Sequence, residues 1–254
     1  MSQQNTSFSG EFELSSPELT GLITYPHFSE AAYSQRLDEL RSLGISSLIL
    51  GNGNSTINGF SICGKGCVGL VFRARSADGI IALKIRRTDA DRASMEDESR
   101  LHQVANAAGV GPRYLGHTTN LIAMEFVGGS SIIDWIGTAS RERFQTVARS
   151  VLDQCYLLDK VGLDHGELSR LGRHVIVSHQ ASPCLVDFES ASTNRRTVNV
   201  SSAVQSLFLY GTVAGHVKKI RPQVDIEMAI TAIRNYKKLR SRESFDKVVE
   251  TLAI

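Results

Sequence analysis

The chain has 254 residues, 42% of them apolar and 21% charged, with 28 Lys and Arg against 26 Asp and Glu. That size predicts one large domain or two lobes around a shared cleft, with enough apolar surface for a substantial core. A formal net charge of +2 is too small to argue for a nucleic-acid partner by itself. No apolar run is long enough to span a bilayer, and the polar start, residues 1–8, lacks the apolar stretch of a signal peptide, so no membrane partner is expected. The four cysteines, Cys63, Cys67, Cys155 and Cys184, lack a second pair at zinc spacing and read as reduced thiols of a cytoplasmic protein.

Taken in chain order, residues 1–20 are rich in Ser, Gln, Asn and Thr and are expected to be loose. A helix follows, capped by Ser29, with Tyr33, Leu37 and Leu40 on one face and Gly44 at its end. Residues 46–50 read as a strand and Asn52-Gly53-Asn54 as a turn. Residues 60–75 read as strand, glycine loop and strand, turned by Ala77-Asp78-Gly79 into a return strand over 80–86. A 3.6-residue period predicts a helix over 91–108, stopped at Gly109. Residues 121–127 form another strand, broken by Gly128-Gly129 as a hinge would be. Helical periodicity covers 132–161. Two short apolar strands, 175–177 and 184–186, flank a turn, and everything after Asn199 reads as helix, 225–239 most clearly. The order predicts an α+β protein, β-rich first and mainly helical later.

Several motifs carry chemistry. Gly64-Lys65-Gly66-Cys67-Val68-Gly69-Leu70-Val71 reads G-x-G-x-x-G-x-V. Its glycines lack Cβ atoms, so backbone can lie close over phosphates and aim N–H groups at them. The loop runs on into a strand rather than a helix, which disfavours a dinucleotide-binding loop. In the return strand Ile81, Leu83 and Ile85 share one face, while Ala82 and Lys84 share the other. On the following helix Glu98 lies on the apolar stripe of Met95, Leu101, His102 and Ala105, whereas Glu96 points about 100° away. A buried acid demands a cation, so Glu98 is the expected partner of Lys84. Asp187, after an apolar strand, is the best candidate ligand for a hard cation such as Mg²⁺. Arg86-Arg87 and Arg195-Arg196 read as solvated surface runs.

These motifs, in this order, resemble the protein kinase-like superfamily. The likeness is closest to its small atypical members, the RIO-type kinases and a group of predicted serine/threonine kinases found mainly in archaea. The segments carrying it are Gly64–Gly69, Leu83-Lys84-Ile85-Arg86-Arg87, His165-Gly166-Glu167-Leu168-Ser169 and Asp187-Phe188-Glu189-Ser190-Ala191-Ser192. The resemblance implies a two-lobed kinase-like fold: an N-terminal extension over 1–44, a small lobe over 45–128 and a large lobe over 129–254. It implies that ATP binds with Mg²⁺ or Mn²⁺ through Gly64, Lys65, Gly66, Cys67, Val68, Gly69, Val71, Ala82 and Lys84, with backbone groups of Glu125 and Val127 reading the adenine edge. Lys84 and Glu98 would form the phosphate-gripping pair, Glu167 would accept or orient the acceptor proton, and Asp187 would hold the metal.

The chain departs from that pattern. Glu167 stands for the usual aspartate and Glu189 for the usual glycine. Gly172 occupies the place of a metal-binding asparagine, so either His174 replaces that ligand or it is lost. No Ala-Pro-Glu follows, so a peptide-docking segment is missing or short. The implied function is phosphoryl transfer to a serine or threonine hydroxyl, the chain's own included. The alternatives are a kinase for small hydroxyl compounds and a nucleotide-binding pseudokinase acting as switch or scaffold. By resemblance alone, a ribosomal RNA or ribosomal particle is a candidate partner.

Overall fold

A computed structural model describes residues 9–51, 53–221 and 224–254; the readings of residues 1–8 and of Asn52 fall outside them. The protein is α+β and divides into two compact units. The first holds the chain up to Arg100 with Arg113–Phe126, and the second holds Leu101–Pro112 with Val127–Ile254. No helix among the described residues is long and apolar enough to cross a membrane.

The first unit contains, in chain order, β1 (Gly10–Glu13), α1 (Thr20–Ile23), α2 (Glu30–Ser42), β2 (Ile45–Leu50), β3 (Ser55–Ile57), β4 (Phe60–Ile62), β5 (Gly64–Lys65), β6 (Gly69–Ser76) and β7 (Gly79–Arg86). It also takes in the first turn of α3 (Glu96–Ala107), then β8 (Tyr114–His117) and β9 (Leu121–Glu125). Its seven-stranded antiparallel sheet runs β1-β2-β6-β7-β9-β8, with β5 beside β6. Strand alternation buries Ile81, Leu83 and Ile85 against Leu48, Phe72 and Leu121 and the helical residues Leu19, Leu22 and Leu40. Ala82 and Lys84 therefore occupy the opposite face, paired across β9 with Met124 and Ile122 and across β6 with Arg73 and Val71.

Three features of this unit differ from the sequence reading. Residues 10–20, expected to be loose, are ordered: β1 pairs with β2, and Leu19 is buried together with Leu22 and Ile23 that follow it. Their polar surroundings hid a short apolar pattern, and the Glu11 carboxylate is fixed by both Arg75 and Ser47. A second hairpin turn lies at Asn58-Gly59, joining β3 to β4, with both residues at positive φ (50° and 83°), as an Asn-Gly turn of this kind requires. Helix α3 starts at Glu96, not Asp91, because Arg86 Nη1 takes the Arg92 carbonyl at 2.9 Å and the Met95 N–H is spent on Thr119 O.

The second unit contains the rest of α3, then β10 (Ser130–Ser131), α4 (Ile132–Ile136), α5 (Arg141–Lys160), β11 (Val175–Val177), β12 (Pro183–Leu185), α6 (Asn199–Val204), α7 (Thr212–Ile220), α8 (Ile226–Leu239) and α9 (Arg242–Leu252). The single helical stretch expected over 132–161 is two helices, because Gly137 ends α4 and Ser140 caps α5 by accepting the Arg143 N–H. Phe144, Val147, Val151, Leu152 and Leu158 of α5 form one buried stripe in the core of this unit.

A buried polar knot ties α5 to α6 and α8. Asp159 accepts from Asn199 N and Nδ2, Val200 N and Tyr236 Oη, and Asn199 Oδ1 in turn accepts the His165 N–H. Removing the acceptor strands several buried donors, so Asp159→Ala should cost about 3 kcal/mol or more. Tyr236→Phe removes one hydroxyl donor only and should cost about 1 kcal/mol. Chemical denaturation of the two variants against the parent checks the ranking; equal losses would contradict the knot.

Candidate functional site

In the first unit the glycine loop is a tight hairpin end between β5 and β6. The Gly66 N–H donates to Gly69 O at 2.8 Å, and Arg87 N donates to Val68 O at 2.7 Å. A Cβ on Gly69 would stand 3.0 Å from Lys84 Cγ and 3.1 Å from Ile85 O, so glycine there lets the loop rest on the lysine stem. The Arg87 guanidinium reaches Gly66 O and also pairs with Asp89, while Lys65 Nζ meets the Tyr25 hydroxyl at 2.9 Å. Cys67 is exposed between these anchors, and Val68 is buried with Met95 and Ile122.

Lys84 is 4% exposed, yet its Nζ lies 2.7 Å from Glu98 Oε1. Glu98 is equally buried, and its second oxygen faces Arg92 Nη1 at 3.5 Å. Glu96 is exposed and pairs instead with His117. The helix register read from the apolar stripe thus selects the acid that meets the lysine. Ala82 is buried one step along the same face. The Glu125 N–H is engaged by Arg113 O at 2.8 Å, so that donor is not open to a ligand. Val127 opens the second unit.

In the second unit β11 and β12 bring the remaining motif residues together. Val186 N donates to His174 O at 3.0 Å, which sets His174 beside Asp187, with Nδ1 to Oδ2 at 3.8 Å. His174, and not Gly172, is therefore the neighbour of the candidate metal ligand. A Cβ on Gly172 would lie 2.4 Å from Ile133 Cδ1, so a side chain there would have to displace that isoleucine. Asp187 adopts φ 71°, a left-handed conformation uncommon for a side-chain-bearing residue, and leaves its carboxylate partly exposed. One carboxylate and one imidazole can take a divalent cation that keeps other ligands from water or phosphate, and imidazole suits Mn²⁺ better than Mg²⁺. Among the described residues no group of three or more His, Cys, Asp and Glu is placed to hold a metal ion.

His165 is a buried brace rather than an exposed acid–base group. Its Nε2 lies 3.1 Å from Val186 O, its ring stands against His174 and Phe188, and burial together with His174 holds its pKa down at about 4. Phe188 also stacks on His102 of α3. A Cβ on Gly111 would lie 2.7 Å from the Phe188 ring, so a glycine is required against it. Glu167 stays accessible, and its Oε1 accepts a hydrogen bond from the Ser190 hydroxyl at 3.2 Å. Arg170 lies 3.9 Å from its other oxygen.

Some functional contacts were missed from sequence. Arg195 is exposed, as the surface reading expects, but its guanidinium also pairs with the buried Asp164 and donates to Ser190 O. Asp164 also forms a backbone bridge with Ser192 and accepts the Val198 N–H, which pins the segment after Asp187 to the loop before Glu167. Gly166 has φ 88°, and a side chain there would also collide with Arg195 and Ser190 O, so both the backbone and the packing favour glycine. The signal available was only the short distance in sequence between Asp187 and α6. The Arg86-Arg87 run is likewise internal structure, Arg86 donating to Asn120 Oδ1 and Arg92 O.

No known family model matches the chain. It is similar to an uncharacterized protein, MJ1211, of Methanocaldococcus jannaschii, at 28% identity over 116 residues, which is 45% of this chain and 96% of that one.

Removing one partner of a buried ion pair leaves an uncompensated charge, typically at a cost of about 3–5 kcal/mol. Glu98→Ala should therefore destabilise the first unit strongly, and Glu96→Ala should leave it nearly unchanged. Thermal unfolding of both variants tests this; similar melting temperatures would show that the register of α3 is wrong.

Proposed function

We propose that the chain is an atypical member of the protein kinase-like superfamily, transferring the γ-phosphoryl group of ATP to a serine or threonine hydroxyl with the help of a divalent cation. The observation that carries this reading is the buried Lys84–Glu98 pair lying directly under Gly69 of the phosphate-type loop. A buried lysine, paired with a carboxylate and lying against a glycine turn, is poor design for stability alone. It is good design for presenting a fixed positive charge to phosphate oxygens.

This reading gives each motif residue a role. The loop from Gly64 to Gly69, with Val71 and Ala82, would cover and bed the nucleotide, and Lys84 would neutralise its phosphates while Glu98 keeps the ammonium in place. Asp187, with His174 beside it, would hold the cation, which supplies charge neutralisation at the phosphates. Glu167 would take the proton of the attacking hydroxyl as the new O–P bond forms and the bond to the leaving diphosphate breaks. A carboxylate that already accepts a serine hydroxyl at Ser190 has suitable reach for that role. The second reading, a nucleotide-binding pseudokinase, is favoured by Gly172, which offers no ligating side chain where the resembled family has its second metal ligand.

Incubation with γ-labelled ATP, Mg²⁺ or Mn²⁺ and basic protein acceptors separates the two. The enzyme reading expects label on serine or threonine, reduced by roughly 10²–10⁴ in Glu167→Gln, and a preference for Mn²⁺ that weakens in His174→Asn. Transfer that persists unchanged in Glu167→Gln would overturn the role of that carboxylate. Nucleotide binding without any transfer would favour the pseudokinase.

A further inference from the structure

The first unit carries a concave site that the proposed chemistry does not use. A cavity of about 340 Å³ is lined by Arg36, Arg86, Asn120, His27, Ser29 and Ala32, among others. Arg36 is 2% exposed, and among the described residues its guanidinium bonds to Ile23 O through Nη1. Arg86 spends Nε on Asn120 Oδ1 and Nη1 on Arg92 O, both at 2.9 Å. Neither guanidinium is ion-paired with a carboxylate among the described residues. The acid closest in charge terms is Glu39, and its oxygens are already taken by Thr118 Oγ1, Asn120 N and Nδ2, and Gln35 Nε2.

Two like charges facing one cavity are costly unless something negative joins them. The strain registers on Arg36, whose pKa is lowered to about 10, by burial first and by the charge of Arg86 second. The cavity is also met by the capped start of α2, where Ser29 accepts the Ala32 N–H, so the positive end of a 13-residue helix adds to the same field. Guanidinium forks match tetrahedral oxyanions better than they match simple halides.

We infer that this cavity is a binding site for a phosphate group, carried as free inorganic phosphate or on a small phosphate ester. The donors are the unspent nitrogens of Arg36 and Arg86. The site lies within the first unit and does not depend on the kinase reading. It is nonetheless connected to Lys84: Arg86 fixes the Arg92 backbone, and the Arg92 side chain faces Glu98. Occupancy would stiffen that chain of contacts.

The test is calorimetric titration of the intact protein with inorganic phosphate and with glycerol phosphate, against chloride at matched ionic strength. Saturable binding of either phosphate supports the site; stronger binding of the ester points to a phosphorylated metabolite and stronger binding of phosphate to the free ion. Arg86→Gln should weaken binding at least tenfold. Because loss of Arg86 also loosens structural contacts, Ala32→Glu serves as a second variant. It places a carboxylate on the cavity wall, keeps both arginines, and should weaken binding by a similar factor while melting normally. No saturable binding beyond the chloride control overturns the proposal. So does binding that both variants leave unchanged, since that phosphate would be held elsewhere, for example at the glycine loop.

Discussion

The buried pair of Lys84 and Glu98 is the constraint around which the first unit is arranged. Two charges removed from water recover their desolvation cost only with good geometry and further polar contacts. Here those contacts form a continuous line. Glu39 holds Asn120, Asn120 holds Arg86, Arg86 holds the Arg92 carbonyl, and the Arg92 guanidinium faces the second oxygen of Glu98. The line starts on α2, passes the loop before β9 and the end of β7, and reaches the first turn of α3. Each step fixes a backbone segment as well as a side chain, so the position of the ammonium is set by most of the unit.

The second unit is organised by a different polar system. Asp159 and Asn199 hold the His165 backbone, and Asp164 and Arg195 hold the segment between Asp187 and α6. Apolar packing would leave these loops free to slide, since burial is not directional. The buried hydrogen bonds fix where Glu167, His174 and Asp187 stand. The short segment from Phe188 to Val198 is tied down at Ser190, Ser192 and Arg195, which leaves little chain for a mobile peptide platform.

Much of this was legible in the sequence where periodicity and a physical demand coincided. The stripe of Met95, Leu101, His102 and Ala105 placed Glu98 inside and Glu96 outside, and a buried acid needs a cation. The alternation of Ile81, Leu83 and Ile85 put Lys84 on the far face of β7. What could not be read depended on partners distant in sequence. Arg195 is exposed, and nothing local shows that it holds the buried Asp164, 31 residues earlier. Residues 10–20 looked loose because their order comes from pairing with β2 and from burial under the sheet, both long-range effects. The false start of α3 at Asp91 has the same origin, since Arg86 captures a carbonyl that a helix would have used. Gly172 read as a ligand either replaced by His174 or lost, and it is His174 that stands beside Asp187.

The claim that most depends on this geometry is that the Lys84 charge and the glycine loop form a nucleotide-phosphate site. The direct measurement is the dissociation constant for ATP with Mg²⁺ or Mn²⁺ by equilibrium dialysis, on the parent protein and on Gly69→Val. The account predicts one saturable site at about millimolar affinity or tighter, that is at least about 4 kcal/mol of binding free energy. It also predicts that Gly69→Val weakens the site tenfold or more, because its side chain would displace the loop from the lysine stem. Absence of saturable binding at several times that concentration, or binding that Gly69→Val leaves unchanged, would contradict it.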